Sequence, residues 1–189
     1  MNQTVFLERI TNFSPLSDEG KDALLSIVKP FSFKKNEIIL EEGQVAECLF
    51  YIEKGLARIF YHKHEKEVTE WIALENEFFL SIGSFYGRTP SKLIVQAVEK
   101  CELIGIPHDD FLELCKNYHE IETLHRKMLT VSLLLSQDRV DSIQFETAQQ
   151  RYESLIAKRP AIIQRVSLTY IASFLGITLE TLSRIRGKG

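Results

Sequence analysis

Residues 177–186, ITLETLSRIR, carry the side chains best suited to reading another molecule through hydrogen bonds. On a helix starting near Leu179, Glu180, Thr181, Ser183 and Arg184 project outward from the N-terminal half. A guanidinium offers a fork of donors, a carboxylate accepts, and a hydroxyl does either. Presented by the first turns of a helix, such a set fits base edges in a DNA major groove, with Arg184 aimed at guanine O6 and N7 and Glu180 at the cytosine amine. Arg186 and Lys188 are placed to meet phosphates, as are the hydroxyls of Ser167, Thr169 and Thr178 near helix starts.

Other chemistry finds little support. His62, His64, His108, His119 and His125 make no nucleophile pattern with a cysteine or serine, and His62-Lys63-His64 reads as exposed strand polarity rather than a metal site. Cys48, Cys101 and Cys115 lack CxxC or CxH spacing, so they read as plain thiols. Glu41-Glu42 flanks a turn, Asp109-Asp110 suits a helix N-terminus, and no Walker or Rossmann glycine pattern occurs. No catalytic residue, metal ligand or cofactor is therefore assigned, and an enzyme is not expected.

The elements that must position the terminal side chains come next. SLTYIASFLGITLETLSRIRG, residues 167–187, predicts a helix with Ser167 or Thr169 near its N-cap, a turn at Gly176, and a second helix capped by Thr178. Ala172 lies four residues before that glycine, and Ile171, Leu175, Ile177, Leu182 and Ile185 fall where the two inner faces would meet. A small residue for close crossing plus a glycine free to take positive φ makes this a helix-turn-helix rather than an ordinary helical hairpin. From Lys158 onward six bases face one acid, a local charge of +5, so the chain's net −3 leaves −8 on residues 1–157. A basic tail on an acidic body suits a polyanion.

Upstream, SPLSDEGKDALLSIVKPF predicts a short helix capped by Ser17 and stopped at Pro30. Between Phe31 and Pro107 the runs EIILEEG, CLFYIEKGLARIFYH, KEVTEWIAL, KLIVQAVE and CELIGIP, with turn signals at Gly43, Lys54-Gly55 and Pro90, predict an antiparallel sandwich or barrel. HDDFLELCKNY reads as one helical turn or three, and a long helix follows from about Glu120 to Phe145. Along it Ile121, Leu124, Met128, Val131 and Leu135 recur at steps of three and four, with Leu129, Leu133 and Leu134 widening the stripe. Either the stripe is one broad core face, or the helix packs on its own domain and on a second copy; the second reading is favoured. ETAQQRYESLIAKRP predicts a further helix ending before Pro160. No apolar run is long enough to span a membrane and MNQTVFLERITNF carries no export signal, so a cytoplasmic protein without a membrane partner is expected.

With these residues in view, the chain resembles the CRP/FNR family of bacterial transcription regulators, which join a cyclic-nucleotide-binding-type β-roll to a C-terminal helix-turn-helix. CLFYIEKGLARIF is similar to the family's strand, glycine turn and strand, and ITLETLSRIR to its recognition-helix pattern Thr-x-Glu-Thr-x-Ser-Arg. The resemblance implies an α+β fold: an N-terminal antiparallel β-roll of the double-stranded β-helix or jelly-roll type, a long dimerisation helix and a C-terminal (winged) helix-turn-helix. It implies base reading by Glu180, Ser183 and Arg184 at half-sites with a TGA core, and as partners double-stranded DNA bearing an inverted repeat, a second copy and RNA polymerase.

The chain departs from the family at its phosphate cassette. Where nucleotide-binding members have Gly-Glu, this chain has Leu80-Ser81, and where they have Arg-Ser-Ala or Arg-Thr-Ala it has Ser91-Lys92-Leu93. Phe79, Ser81, Phe85, Arg88, Ser91 and Lys92 are the candidate effector-pocket residues, although Phe78, Phe79, Phe85 and Tyr86 also read as core. Cyclic AMP is accordingly not expected as effector. The residues stop soon after the second helix, so any wing is expected from Pro160–Ser167. The resulting expectation is a sensor at 1–115, a dimerisation helix at 116–146 with Ile121, Leu124, Met128, Val131 and Leu135 at the interface, and a DNA-binding domain at 147–189. The rival is a ligand-sensing or protein-docking module whose degenerate terminal domain no longer reads DNA; the outward chemistry of Glu180, Ser183 and Arg184 opposes it.

Overall fold

The computed structural model describes residues 3–187. Lys188, expected at a phosphate, lies outside the described residues. Contacts divide the chain into two compact units: residues up to Ile59 with Ile72–Val131, and Phe60–Trp71 with the residues from Ser132 onward.

The first unit begins with two helices, α1 (Gln3–Phe13) and α2 (Asp18–Ile27). Phe6 and Ile10, one turn apart, are fully buried, with Phe6 edge-on to Tyr51 at 5.3 Å. Ser17 caps α2 by accepting from the Gly20 amide at 3.0 Å. Along the described residues eight strands follow, β4 and β5 lying mostly in the second unit: β1 (Lys29–Phe33), β2 (Ile38–Leu40), β3 (Cys48–Lys54), β4 (Ala57–Lys63), β5 (Lys66–Ala73), β6 (Phe78–Phe79), β7 (Ile94–Ala97) and β8 (Cys101–Pro107). They form two four-stranded sheets in the orders β1-β8-β3-β6 and β2-β7-β4-β5. Pro30, expected to stop a helix, instead lies in β1. That position is tolerated because β1 is an edge strand and needs no amide on its outer side.

Helix α3 (Ile82–Gly87) interrupts the strands and ends at Arg88, whose φ is +50°. HDDFLELCKNY forms three turns, α4 (His108–Asn117), and the 27-residue α5 (His119–Phe145) follows. The boundary between units falls within α5, after Val131, rather than at its ends. Residues 60–71 of the expected sensor block also cluster with the second unit.

Inside the first unit, the His125 ring is held by three neighbours. Tyr86 Oη lies 2.8 Å from its Nε2, Cys115 Sγ 3.8 Å from its Nδ1, and the Phe111 ring stands edge-on at 5.1 Å. Burial lowers the His125 pKa from its ordinary 6.5, against a smaller opposing pull from Glu122. A lowered folded-state pKa means that the unfolded chain binds the extra proton first. The stability contributed by the neutral ring is therefore fully present above 6.5 and is lost as pH falls through the folded pKa. The denaturation midpoint should fall between about pH 7.5 and about pH 5.5, and His125→Gln should shrink that fall; an equal fall in both proteins refutes the assignment.

Candidate nucleic-acid interface and sensor cavity

The second unit ends in a pair of short helices joined by a tight turn. Helix α8 (Leu168–Phe174) is capped by Ser167, which accepts from the Tyr170 amide at 3.3 Å; Thr169 is exposed within the first turn and does not cap. Gly176 takes φ +67°, and the Ile177 amide returns to the Ala172 carbonyl at 3.0 Å, closing the turn. Helix α9 (Leu179–Arg186) is capped by Thr178, which accepts from the Thr181 amide at 3.1 Å. Ile171, Ala172, Leu175 and Leu182 are buried, which fixes one helix on the other.

This packing leaves Glu180, Ser183, Arg184 and Arg186 exposed on α9. Arg184 donates to the Glu180 carboxylate one turn back, and both side chains are about three-quarters exposed, at 72% and 74%. Thr181 is partly buried and its hydroxyl sits 2.9 Å from that of Thr178. It is therefore less available for a base edge than expected. The Ser167 and Thr178 oxygens are likewise already occupied by their capping amides. Pro160–Ser167 holds one short helix, α7 (Ile162–Arg165), and among the described residues from 146 on there is no strand to act as a wing.

The orientation of α8 depends on residues far away in sequence. The Thr69 amide donates to Ser173 Oγ at 2.8 Å, and that hydroxyl donates to the Glu67 carbonyl at 3.2 Å. Trp71 stands edge-on to Phe174 at 6.1 Å, while Arg139 covers the other ring at 4.1 Å and donates to the Phe174 carbonyl. Arg151, from α6 (Ala148–Lys158), donates to the Leu175 carbonyl at 2.9 Å. The strand end at 67–71 thus holds α8 from one side and two arginines tie down its C-terminal carbonyls, where positive charge complements the helix dipole.

Helix α5 carries two apolar stripes. Ile121 and Leu124 are fully buried in the first unit, so they cannot belong to an interface as expected. Met128 is partly buried, and Val131 and Leu135 remain exposed. Roughly 120° around the helix, Leu129, Leu133, Ser136, Val140 and Ile143 recur at steps of four and three, and Leu133 is 69% exposed. Both stripes satisfy a heptad; sequence spacing alone does not say which one the chain's own core consumes.

The candidate effector residues divide into two groups. Ser81 and Ser91 are buried with their hydroxyls 2.9 Å apart, and Ser91 Oγ also donates to the Leu93 carbonyl at 2.8 Å. Phe79 is buried, and Phe85 is core, edge-on to Tyr86 and His108. Arg88 donates to the Ala46 carbonyl at 2.9 Å and to the Glu47 carboxylate at 2.6 Å, while Lys92 is exposed. Phe79 and Ser81 line a cavity of about 260 Å³ with Phe31, Phe50 and Val95. Arg88, Phe85, Ser91 and Lys92 do not line it.

Residues 30–118 match the cyclic nucleotide-binding domain family. The chain is 22% identical over 169 residues to the nitrogen fixation regulation protein FixK of Azorhizobium caulinodans, an alignment covering 82% of this chain but only 66% of FixK. It is 21% identical over 182 residues to the cAMP-activated global transcriptional regulator CRP of Salmonella typhimurium, covering 90% of this chain and 87% of CRP. Among solved structures, FixK2 from Bradyrhizobium japonicum superposes with a TM-score of 0.72 at 18% identity, over 86% of this chain and 84% of that one. Over most of its length the chain is thus similar to regulators of the CRP/FNR type.

The terminal helix pair was the part most readable in advance, because its caps, glycine and outward residues are local. Thr69, Trp71, Arg139 and Arg151 were missed as supports of α8. A lone tryptophan in KEVTEWIAL signals burial, but nothing in the sequence says against what. Ser173→Ala removes the acceptor of the buried Thr69 amide and should cost on the order of 1–2 kcal/mol in the second unit. Trp71, the only tryptophan, reports it: the denaturation midpoint followed by its fluorescence should fall, and an unchanged midpoint refutes the role given to Ser173.

Proposed function

We propose that this regulator is a homodimeric, sequence-specific DNA-binding transcription factor whose activity is not controlled by a cyclic nucleotide. One observation carries the reading: Glu180, Ser183 and Arg184 stand exposed on a capped helix whose opposite face is buried. None of the three is needed to hold the fold. In a major groove Arg184 would bind guanine bidentately and Glu180 would accept from cytosine, after giving up their mutual pair. Arg186, Lys188 and Thr169, with the N-terminal ends of the two helices at Ser167 and Thr178, would hold phosphates and set register.

The division of labour follows the chain: residues 1–115 as sensor, 116–146 for dimerisation, 147–189 for DNA. Supporting the dimer is the exposed seam Leu129, Leu133, Val140 and Ile143, whose simplest partner is the same seam of a second copy. Two-fold symmetry then requires an inverted repeat with half-sites about one helical turn, roughly 10 base pairs, apart. Against cyclic nucleotide control stands the cassette itself. Ser81 and Ser91 bond to each other where the family places glutamate and arginine, and Arg88 is engaged by Glu47. A cyclic phosphate enclosed there would lack a paired cation, which costs several kcal/mol. The rival, a docking module that no longer reads DNA, would select no sequence at all.

Selection of binding sites from random duplex DNA tests the whole reading; a palindromic motif is expected, and recovery of no motif sinks it. Leu133→Asp puts a carboxylate in the seam and should turn a species of twice the chain mass in light scattering into one of single mass, with DNA affinity falling alongside. A monomeric parent protein at micromolar concentration would rule out the dimer. Arg184→Ala should cost about 1–3 kcal/mol per half-site and relax preference at one guanine. Arg186→Ala should instead weaken all sequences alike and reduce the salt slope by about 1. Unchanged specificity in Arg184→Ala would show that α9 does not read bases.

A further inference from the structure

We infer that the cavity of the first unit is a binding site for an uncharged, ring-bearing apolar small molecule of about two fused or linked rings. This inference stands on the cavity alone and is independent of DNA reading. Four phenylalanines cross one sheet as a continuous row. Phe33 and Phe31 on β1 are stacked, their centroids 6.3 Å apart and their planes 8° from parallel; Phe31 meets Phe50 of β3 edge-on at 5.4 Å; Phe50 stacks on Phe79 of β6 at 5.5 Å. The row is possible because β8, which runs between β1 and β3, carries Gly105 at the crossing. A Cβ there would lie 2.6 Å from Phe31 Cε2 and 3.2 Å from Phe50 Cε1, so any side chain would displace both rings.

The void beside this row measures about 260 Å³. Phe31, Phe33 and Phe50 are only partly buried, whereas Leu40, Ala46, Phe79 and Val95 form a buried floor. An apolar cavity of about 150 Å³ holds one benzene ring, which sets the size of the expected guest. Its charge follows from the lining, which contains no lysine, arginine or histidine. The one acid, Glu47, is engaged by Arg88, and Ser81 by Ser91. An anion would find no cation and a cation no free carboxylate. Burial also raises the Cys48 thiol above its ordinary range, so that side chain is neutral too. A flat neutral molecule laid along the phenylalanine row gains ring-on-ring contact and removes apolar wall from water.

N-phenyl-1-naphthylamine, a neutral ring probe that brightens in apolar surroundings, tests this on the full chain without DNA. One saturable site per chain with micromolar affinity is expected, displaced by naphthalene but not by millimolar cyclic AMP. Val95→Phe and Ala46→Leu fill the floor and should each weaken the probe tenfold or more, with far-ultraviolet circular dichroism reporting that the fold is kept. No saturable signal, displacement by cyclic AMP, or undiminished binding in both filled variants overturns the inference. Should neither variant fold, ring resonances of labelled phenylalanine in the unaltered protein decide: naphthalene must shift Phe31, Phe33, Phe50 and Phe79, and shifts confined to other phenylalanines overturn it.

Discussion

Helix α5 has more apolar side chains than one chain covers. Ile121 and Leu124 are spent on the core of the first unit, and a second stripe from Leu129 to Ile143 is left facing outward. Fully burying a side chain of this size stabilises by about 1.5–3 kcal/mol relative to water, so a seam of several such residues can offset the cost of association. The proposed function hangs on that surplus. On that proposal one copy of α9 would offer three readers, too few to find a site in a genome, and a two-fold pair would double the reading without adding a residue.

The first unit combines a domain-family match with altered chemistry. Residues 30–118 match the cyclic nucleotide-binding domain family, yet at the two places where the sequence resemblance would put glutamate and arginine there is a pair of buried hydroxyls. Ser81 would ordinarily cap α3. Its hydroxyl turns to Ser91 instead, and α3 begins without a side-chain cap. A single charged group at either place would be stranded where it is buried; a mutually satisfied pair of hydroxyls leaves no orphan. The neutral wall of the neighbouring cavity is of one piece with that exchange.

What was legible in the sequence was local. The caps at Ser17, Ser167 and Thr178, the glycine at 176 and the alternation of the strands are each set by residues within a few positions of one another. Strand β1 was not legible, because Pro30 reads as a stop unless one knows that its strand lies at an edge. Burial of Ile121 and Leu124, expected at an interface, was not legible either, because two stripes of equal period on α5 are equivalent until one of them meets a core. The bonds from Glu67 and Thr69 to Ser173 span more than a hundred positions, and no pattern of residue types announces a contact between a strand amide and a serine at that distance.

The pairing of Arg184 with Glu180 has a bearing on how such a helix would search. A guanidinium pressed against the wrong base without a partner is a penalty to the complex, because it gives up water and gains no hydrogen bond. On the proposed reading the arginine would fold back onto its own helix between sites, with the Glu180 carboxylate as its resting partner. The helix would then pass over unfamiliar sequence with its reader sheathed, and would commit only where a guanine and a cytosine together draw the two side chains apart.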